Sequence, residues 1–218
     1  MSEQTSTTDN SEKRPARVPD NVRLLNAVKY HGLAFLGAIT LWGAADAWAQ
    51  TSGLYVATII SVLNAFAAGS IISILFHEWG HFIGARLARS YSPMVPKPTG
   101  AFIFGFNFEK NTNDQFLSMS LGGPIANWLL VLLVFAFIPM DSAGRAMLLA
   151  VTLANAISVC VFELPIVKRT MDGGDPESEL NAGLSNGSGD KGGTSFTIQG
   201  LANMLERMGI RVSAEDLK

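Results

Sequence analysis

Four stretches of the chain, residues 30–45, 47–77, 115–140 and 146–162, contain no Asp, Glu, Lys or Arg. A helix needs about 20 mostly apolar residues, within a range of about 17–25, to cross the hydrocarbon core of a bilayer. Four such stretches in 218 residues leave no material for a separate soluble core. An ordinary soluble globular fold is therefore excluded, and the expected class is an all-α integral membrane protein with about four transmembrane helices. Charged residues make up 16% of the chain, against about 25% in a soluble domain. The net charge of −2 gives no footing for nucleic acid. Cys160 is the single cysteine, so neither a disulfide framework nor a cysteine zinc site can form within the chain.

Residues 1–30 read as a disordered N-terminal tail, polar and basic for the first 20 positions. The membrane domain then covers 31–172, with spans at about 32–49, 54–87, 116–138 and 146–167. Ala47-Trp48-Ala49 resembles a signal-peptidase site. The long polar lead before the first span and Asp46 at its end favour an uncleaved anchor instead. The second span would cover about 50 Å as a helix, so it must tilt, break near Gly69-Ser70 or extend into the interface. Pro139 to Ser142 form a tight link that makes the last two spans an antiparallel hairpin. Residues 173–195 hold much of the glycine and read as a flexible linker. In the tail, 196–218, Ile198, Leu201, Leu205 and Met208 recur at helical spacing.

Lys and Arg set an expected orientation. Residues 1–30 carry five, 86–115 carry four and the chain after 167 carries six, while the two remaining loops share only Arg145. By the positive-inside rule both termini and the 88–115 loop are expected to be cytoplasmic.

His77-Glu78-Trp79-Gly80-His81 is an H-E-x-x-H motif within an apolar segment. Positions four apart share a helix face, so both imidazoles can hold one zinc ion. Glu78 lies one residue on, within reach of a metal-bound water whose pKa zinc lowers to about 7. Insertion scales put an Asp or Lys at mid-membrane at roughly 2.5–3.5 kcal/mol, and a metal site accounts for three ionisable side chains on one apolar helix together. The bland alternative is two interfacial histidines. Arg86 follows His77 by about 13 Å of helix, which puts the expected metal inside the bilayer near its cytoplasmic side.

An H-E-x-x-H on a hydrophobic helix resembles the site-2 protease family of intramembrane zinc metalloproteases. Gly122-Gly123-Pro124-Ile125-Ala126-Asn127 is similar to that family's G-P-x-x-N element, and Phe162-Glu163-Leu164-Pro165 followed by Met171-Asp172-Gly173-Gly174 to its N-x-x-P and L-D-G. The resemblance covers roughly residues 65–174, in a compact form without a PDZ or other regulatory domain. It implies zinc (Zn2+) as cofactor, Asp172 as third ligand beside His77 and His81, Glu78 as general base, and Asn127 as a polar group facing the substrate or the developing oxyanion. The sequence departs from the pattern at Phe162, where the family has Asn, and in the longer run from Pro165 to Asp172, which contains Lys168 and Arg169. Glu163 is therefore the alternative third ligand and Asp175 a weaker one.

Three further features complete the reading. Phe102, Phe104, Phe106 and Phe108 alternate, the pattern of a short β element whose edge is suited to pairing with an extended substrate. His31 and Asp46 sit at opposite ends of the first span and read as interfacial residues. The implied activity is zinc-dependent cleavage of a peptide bond in or next to a membrane segment of a substrate protein. The lipid bilayer and other membrane-complex subunits are the further expected partners. The alternative is a catalytically idle subunit or scaffold of a larger membrane complex, which the altered Asp172 region favours. A metal transporter fits less well, since no further acidic or histidine residues line the spans.

Overall fold

The computed structural model describes residues 19–95 and 100–185. Helices α1 (Asp20–Ser52), α2 (Tyr55–Leu87), α3 (Asn113–Phe137), α4 (Ala143–Met171) and α5 (Pro176–Ser185) follow in order. The first four are long and apolar enough to cross a membrane, and the chain reads as a multi-pass membrane protein. Local chemistry fixes their ends. Gly53 adopts φ 65° and closes α1 through its N–H on the Ala49 carbonyl, a left-handed cap that glycine reaches without strain. Thr112 and Gln115 exchange side-chain and backbone hydrogen bonds in a capping box that starts α3, and the Ser142 hydroxyl accepts from the Arg145 N–H to start α4.

α2 is the centre of the bundle, with α1, α3 and α4 all packed on it. The closest approach is between α2 and α3. A methyl group at Gly80 would lie 2.3 Å from the Gly122 carbonyl oxygen, and one at Gly122 would lie 2.2 Å from that of Gly80. Gly84 meets the Ser118 carbonyl in the same way. Small residues four apart let membrane helices touch backbone to backbone. Ala38, Trp42, Ala65, Ala68, Ile72, Leu130, Val134 and Leu148 fill the core between the four long helices, while residues such as Leu33, Leu63 and Phe135 face outward.

α2 runs unbroken past Gly69-Ser70. Gly69 instead admits Val151 of α4, whose Cγ1 would lie 3.1 Å from an added methyl. At the C-terminal end of the first span, Asp46 is buried within the protein, 3% exposed. Its carboxylate accepts from Ser61, Ser142, Gln50 and Arg145 Nε at 3.1, 2.7, 2.6 and 2.8 Å, which ties α1 to α2 and to the start of α4.

Several expectations need correction. Residues 20–30 belong to α1 and not to a disordered tail; residues 1–18 lie outside the described residues. Part of the expected linker is α5. Asp175 caps it by accepting the Ser178 N–H at 2.9 Å, and these hydrogen bonds hold its carboxyl below the usual carboxylate range. Positions 186–195 and the 196–218 tail lie outside the described residues. The expected β element is absent among the described residues, which show only an isolated bridge between Met94 and Phe104. The alternating phenylalanines do not share one face. Phe104 packs on Phe82, Phe106 and Phe108 pack on Phe116, and Phe102 is exposed. Asn107 and Asn111 close this loop with side-chain hydrogen bonds to backbone, Asn107 capping a 3-10 turn at Phe108–Lys110. Such local bonds replace a strand ladder.

Candidate metal centre

His77 and His81 share one face of α2, as the i, i+4 spacing requires. Their Nε2 atoms lie 2.9 Å apart. Glu163, on α4, faces them, with Oε1 2.9 Å from His77 Nε2 and Oε2 3.6 Å from His81 Nε2. Tetrahedral zinc at about 2.0–2.1 Å from its nitrogens separates two ligand atoms by about 3.3 Å, so a spread of about 0.4 Å between the imidazoles admits the ion. Two histidines and one glutamate form a known catalytic zinc set that leaves a fourth position open.

The surroundings prepare these ligands. His81 Nδ1 lies 2.8 Å from the Met119 carbonyl, which takes its N–H and leaves Nε2 free to ligate. Gly123 lets α3 pass directly over both rings: a methyl there would lie 2.5 Å from His77 Cε1 and 2.6 Å from His81 Nε2. Among the described residues, the buried atoms Glu163 Oε2 and His77 Nδ1 have no hydrogen-bond partner. Unpartnered buried polar atoms are uncommon, and a bound cation would satisfy the carboxylate. The side chains of His77, His81 and Glu163 are 13%, 14% and 26% exposed, so the cluster is enclosed but reachable.

The other candidate residues divide clearly. Asp172 is not brought to the histidines. α4 continues as a helix through Pro165 to Met171 and carries Asp172 about 13 Å along the axis beyond Glu163. There its carboxylate is 63% exposed and accepts from Lys168 Nζ at 2.6 Å. Pro165 lies inside α4 and does not end it; spanning helices tolerate proline because neighbouring groups take up the freed carbonyl. Asp175 is occupied as the cap of α5. Glu78 is buried beside His77, and His81, Glu163 and His31 are its other titratable neighbours. Asn127 is buried on α3, one turn past Gly123, and its Oδ1 has no partner among the described residues.

His31 is held by protein partners from two other parts of the chain. It is buried, accepts from Trp79 Nε1 at Nδ1 (3.1 Å), and its Nε2 lies 3.0 Å from the Gly100 carbonyl. Sequence reading missed the roles of Gly123, the Met119 carbonyl and His31. The paired glycines before Pro124 were the only signal for the first, and nothing in the sequence signals the other two.

No family model matches the chain, and no solved structure matches it. Flagellar P-ring proteins share one 33-residue stretch with it, at 52% identity in Helicobacter acinonychis and Helicobacter pylori and 54% in Helicobacter hepaticus. That stretch is 15% of this chain and 10% of those proteins. A match so short carries no family.

Proposed function

We propose that the protein is an intramembrane zinc metalloprotease that cleaves a peptide bond in or next to a membrane segment of a substrate protein. The observation that carries this reading is the convergence of His77, His81 and Glu163 inside a bundle of spanning helices, with the spare carboxylate of Glu78 beside them. These three residues would hold the ion, which when bound polarises a carbonyl and makes water acidic enough to react at neutral pH. Glu78 takes the proton of the attacking water and returns it to the leaving amine. The unpartnered Asn127 Oδ1 accepts from a backbone N–H of the substrate and holds that segment over the site. The lipid-facing helices exclude bulk water, which strengthens each of these contacts.

The second reading is an idle subunit or scaffold of a membrane complex. What favours it is the exposed Asp172, since the implied third ligand lies away from the histidines. Glu78→Gln separates the two. In a protease it retains zinc and lowers cleavage of a membrane substrate by at least about 100-fold, the range of general acid–base catalysis. In a scaffold it changes neither zinc content nor complex assembly.

The orientation we propose puts both termini and the loop after α2 on the cytoplasmic side, on the strength of the Lys and Arg distribution. Reporter fusions after residue 112 and at the C-terminus are expected to score cytoplasmic. An opposite score after residue 112 inverts the arrangement.

A further inference from the structure

We infer that His31 is a positioning residue, a two-armed bracket that fixes the turn carrying His77 and His81 to the loop that follows α2. Trp79 lies two positions from each histidine, about 200° around the helix, and so projects from the opposite side of α2. There its indole N–H donates to His31 Nδ1 at 3.1 Å, with the two rings edge to face. An indole nitrogen can only donate. Nδ1 of His31 is therefore the acceptor, and in a neutral imidazole Nε2 must carry the hydrogen. That nitrogen donates to the Gly100 carbonyl at 3.0 Å. Each bond thus sets the tautomer that the other needs.

The bracket has support on both sides. Arg23, one element with His31 on α1, donates from Nη1 to the Met94 carbonyl at 2.9 Å. Ala27, Phe82, Met94 and Ile103 form a small buried cluster between α1, α2 and the loop. Val95 N–H and Gly105 N–H bond to the Ile103 and Pro93 carbonyls, so the two sides of the loop are joined where Arg23 and His31 grip it. α1 is therefore part of the site's framework. It braces the motif turn from behind, while Gly123 and Glu163 approach it from the front. The inference rests on the protease reading only for its catalytic consequence.

The two arms can be cut separately. The amide oxygen of Asn occupies the place of Nδ1, and the amide nitrogen of Gln reaches the place of Nε2. His31→Asn is expected to keep the Trp79 bond and lose the Gly100 bond; His31→Gln does the reverse. The full chain is followed by NMR in nanodiscs, with the Trp79 indole signal assigned by its disappearance in Trp79→Phe. Loss of one such bond corresponds to about tenfold in local opening. Amide exchange at Val95 and Gly105 should rise by about that factor in the Asn variant alone. The Trp79 indole N–H should shift, and exchange about tenfold faster, in the Gln variant alone. Zinc content should stay at the parent level in both, with kcat for cleavage about tenfold lower. Any pattern other than this mirrored one overturns the bracket. An unchanged kcat beside the mirrored pattern reduces His31 to a packing contact and overturns its positioning role. A parent protein that cleaves nothing removes the protease reading, and the NMR pattern still decides the bracket.

Discussion

Glu163→Ala should lower zinc affinity by at least about 100-fold, beyond the roughly 10- to 100-fold that loss of an outer hydrogen-bond partner costs. Asp172→Ala should leave affinity within about twofold, since its own link is an exposed ion pair worth about 0–1 kcal/mol. The ground is geometric. Glu163 Oε1 lies 2.9 Å from His77 Nε2, while Asp172 sits past the end of α4 with Lys168 as its partner. The parent protein should hold about one zinc per chain, and His77→Ala with His81→Ala should abolish it, because one carboxylate cannot complete a four-coordinate site. Metal analysis of purified protein and competition with a chelator measure all of these. The reverse ranking, zinc lost in Asp172→Ala and kept in Glu163→Ala, would require α4 to unwind after Pro165 and would restore the ligand set that the family resemblance implies. Gly123→Ala provides an independent check. The methyl would meet both imidazoles, so α3 must withdraw, and zinc affinity should fall without any ligand having been removed.

Asp46→Ala is expected to destabilise the protein by about 2–4 kcal/mol, read as loss of thermal stability in detergent. Removing one partner of a buried pair costs about 3–5 kcal/mol because the other charge is left uncompensated. The lower range applies because Arg145 is partly exposed and keeps its bond to Asp141. The same change strips an acceptor from Ser61, Ser142 and Gln50. Asp46→Leu combined with Arg145→Met should recover most of the loss, as apolar replacement of a buried pair is often neutral or better. A double variant no more stable than Asp46→Ala would show that the hydroxyl and amide partners carry the effect. Zinc content should be unchanged in both, since this cluster lies at the opposite end of α1 and α2 from the His77 turn.

The helices and the histidine pair were legible from the sequence because both are local properties. An uncharged run of about 20 apolar residues can satisfy all its backbone groups in a bilayer within its own segment only as a helix. A spacing of four residues places His77 and His81 together whatever the rest of the chain does. The close contact at Gly80, Gly84 and Gly122 came only with the structure, since small residues permit such an approach without naming the partner helix. Tertiary structure decided the remainder. Whether Glu163 or Asp172 meets the histidines depends on how far α4 slides along α2 and on whether Pro165 ends the helix, and neither is a property of residues 163–172 alone. The phenylalanines at 102–108 read as one strand face because alternation is local, yet Phe104 packs on α2, Phe106 and Phe108 pack on Phe116 of α3, and Phe102 stays exposed. Asp46 and His31 looked interfacial because they lie at opposite ends of the uncharged stretch that reads as the first span. They are buried because other elements close over those ends, Arg145 and Ser142 over the first, Trp79 and the Gly100 carbonyl over the second. Burial of a polar side chain is settled by partners from distant parts of the chain, and only the folded arrangement brings them within hydrogen-bond reach.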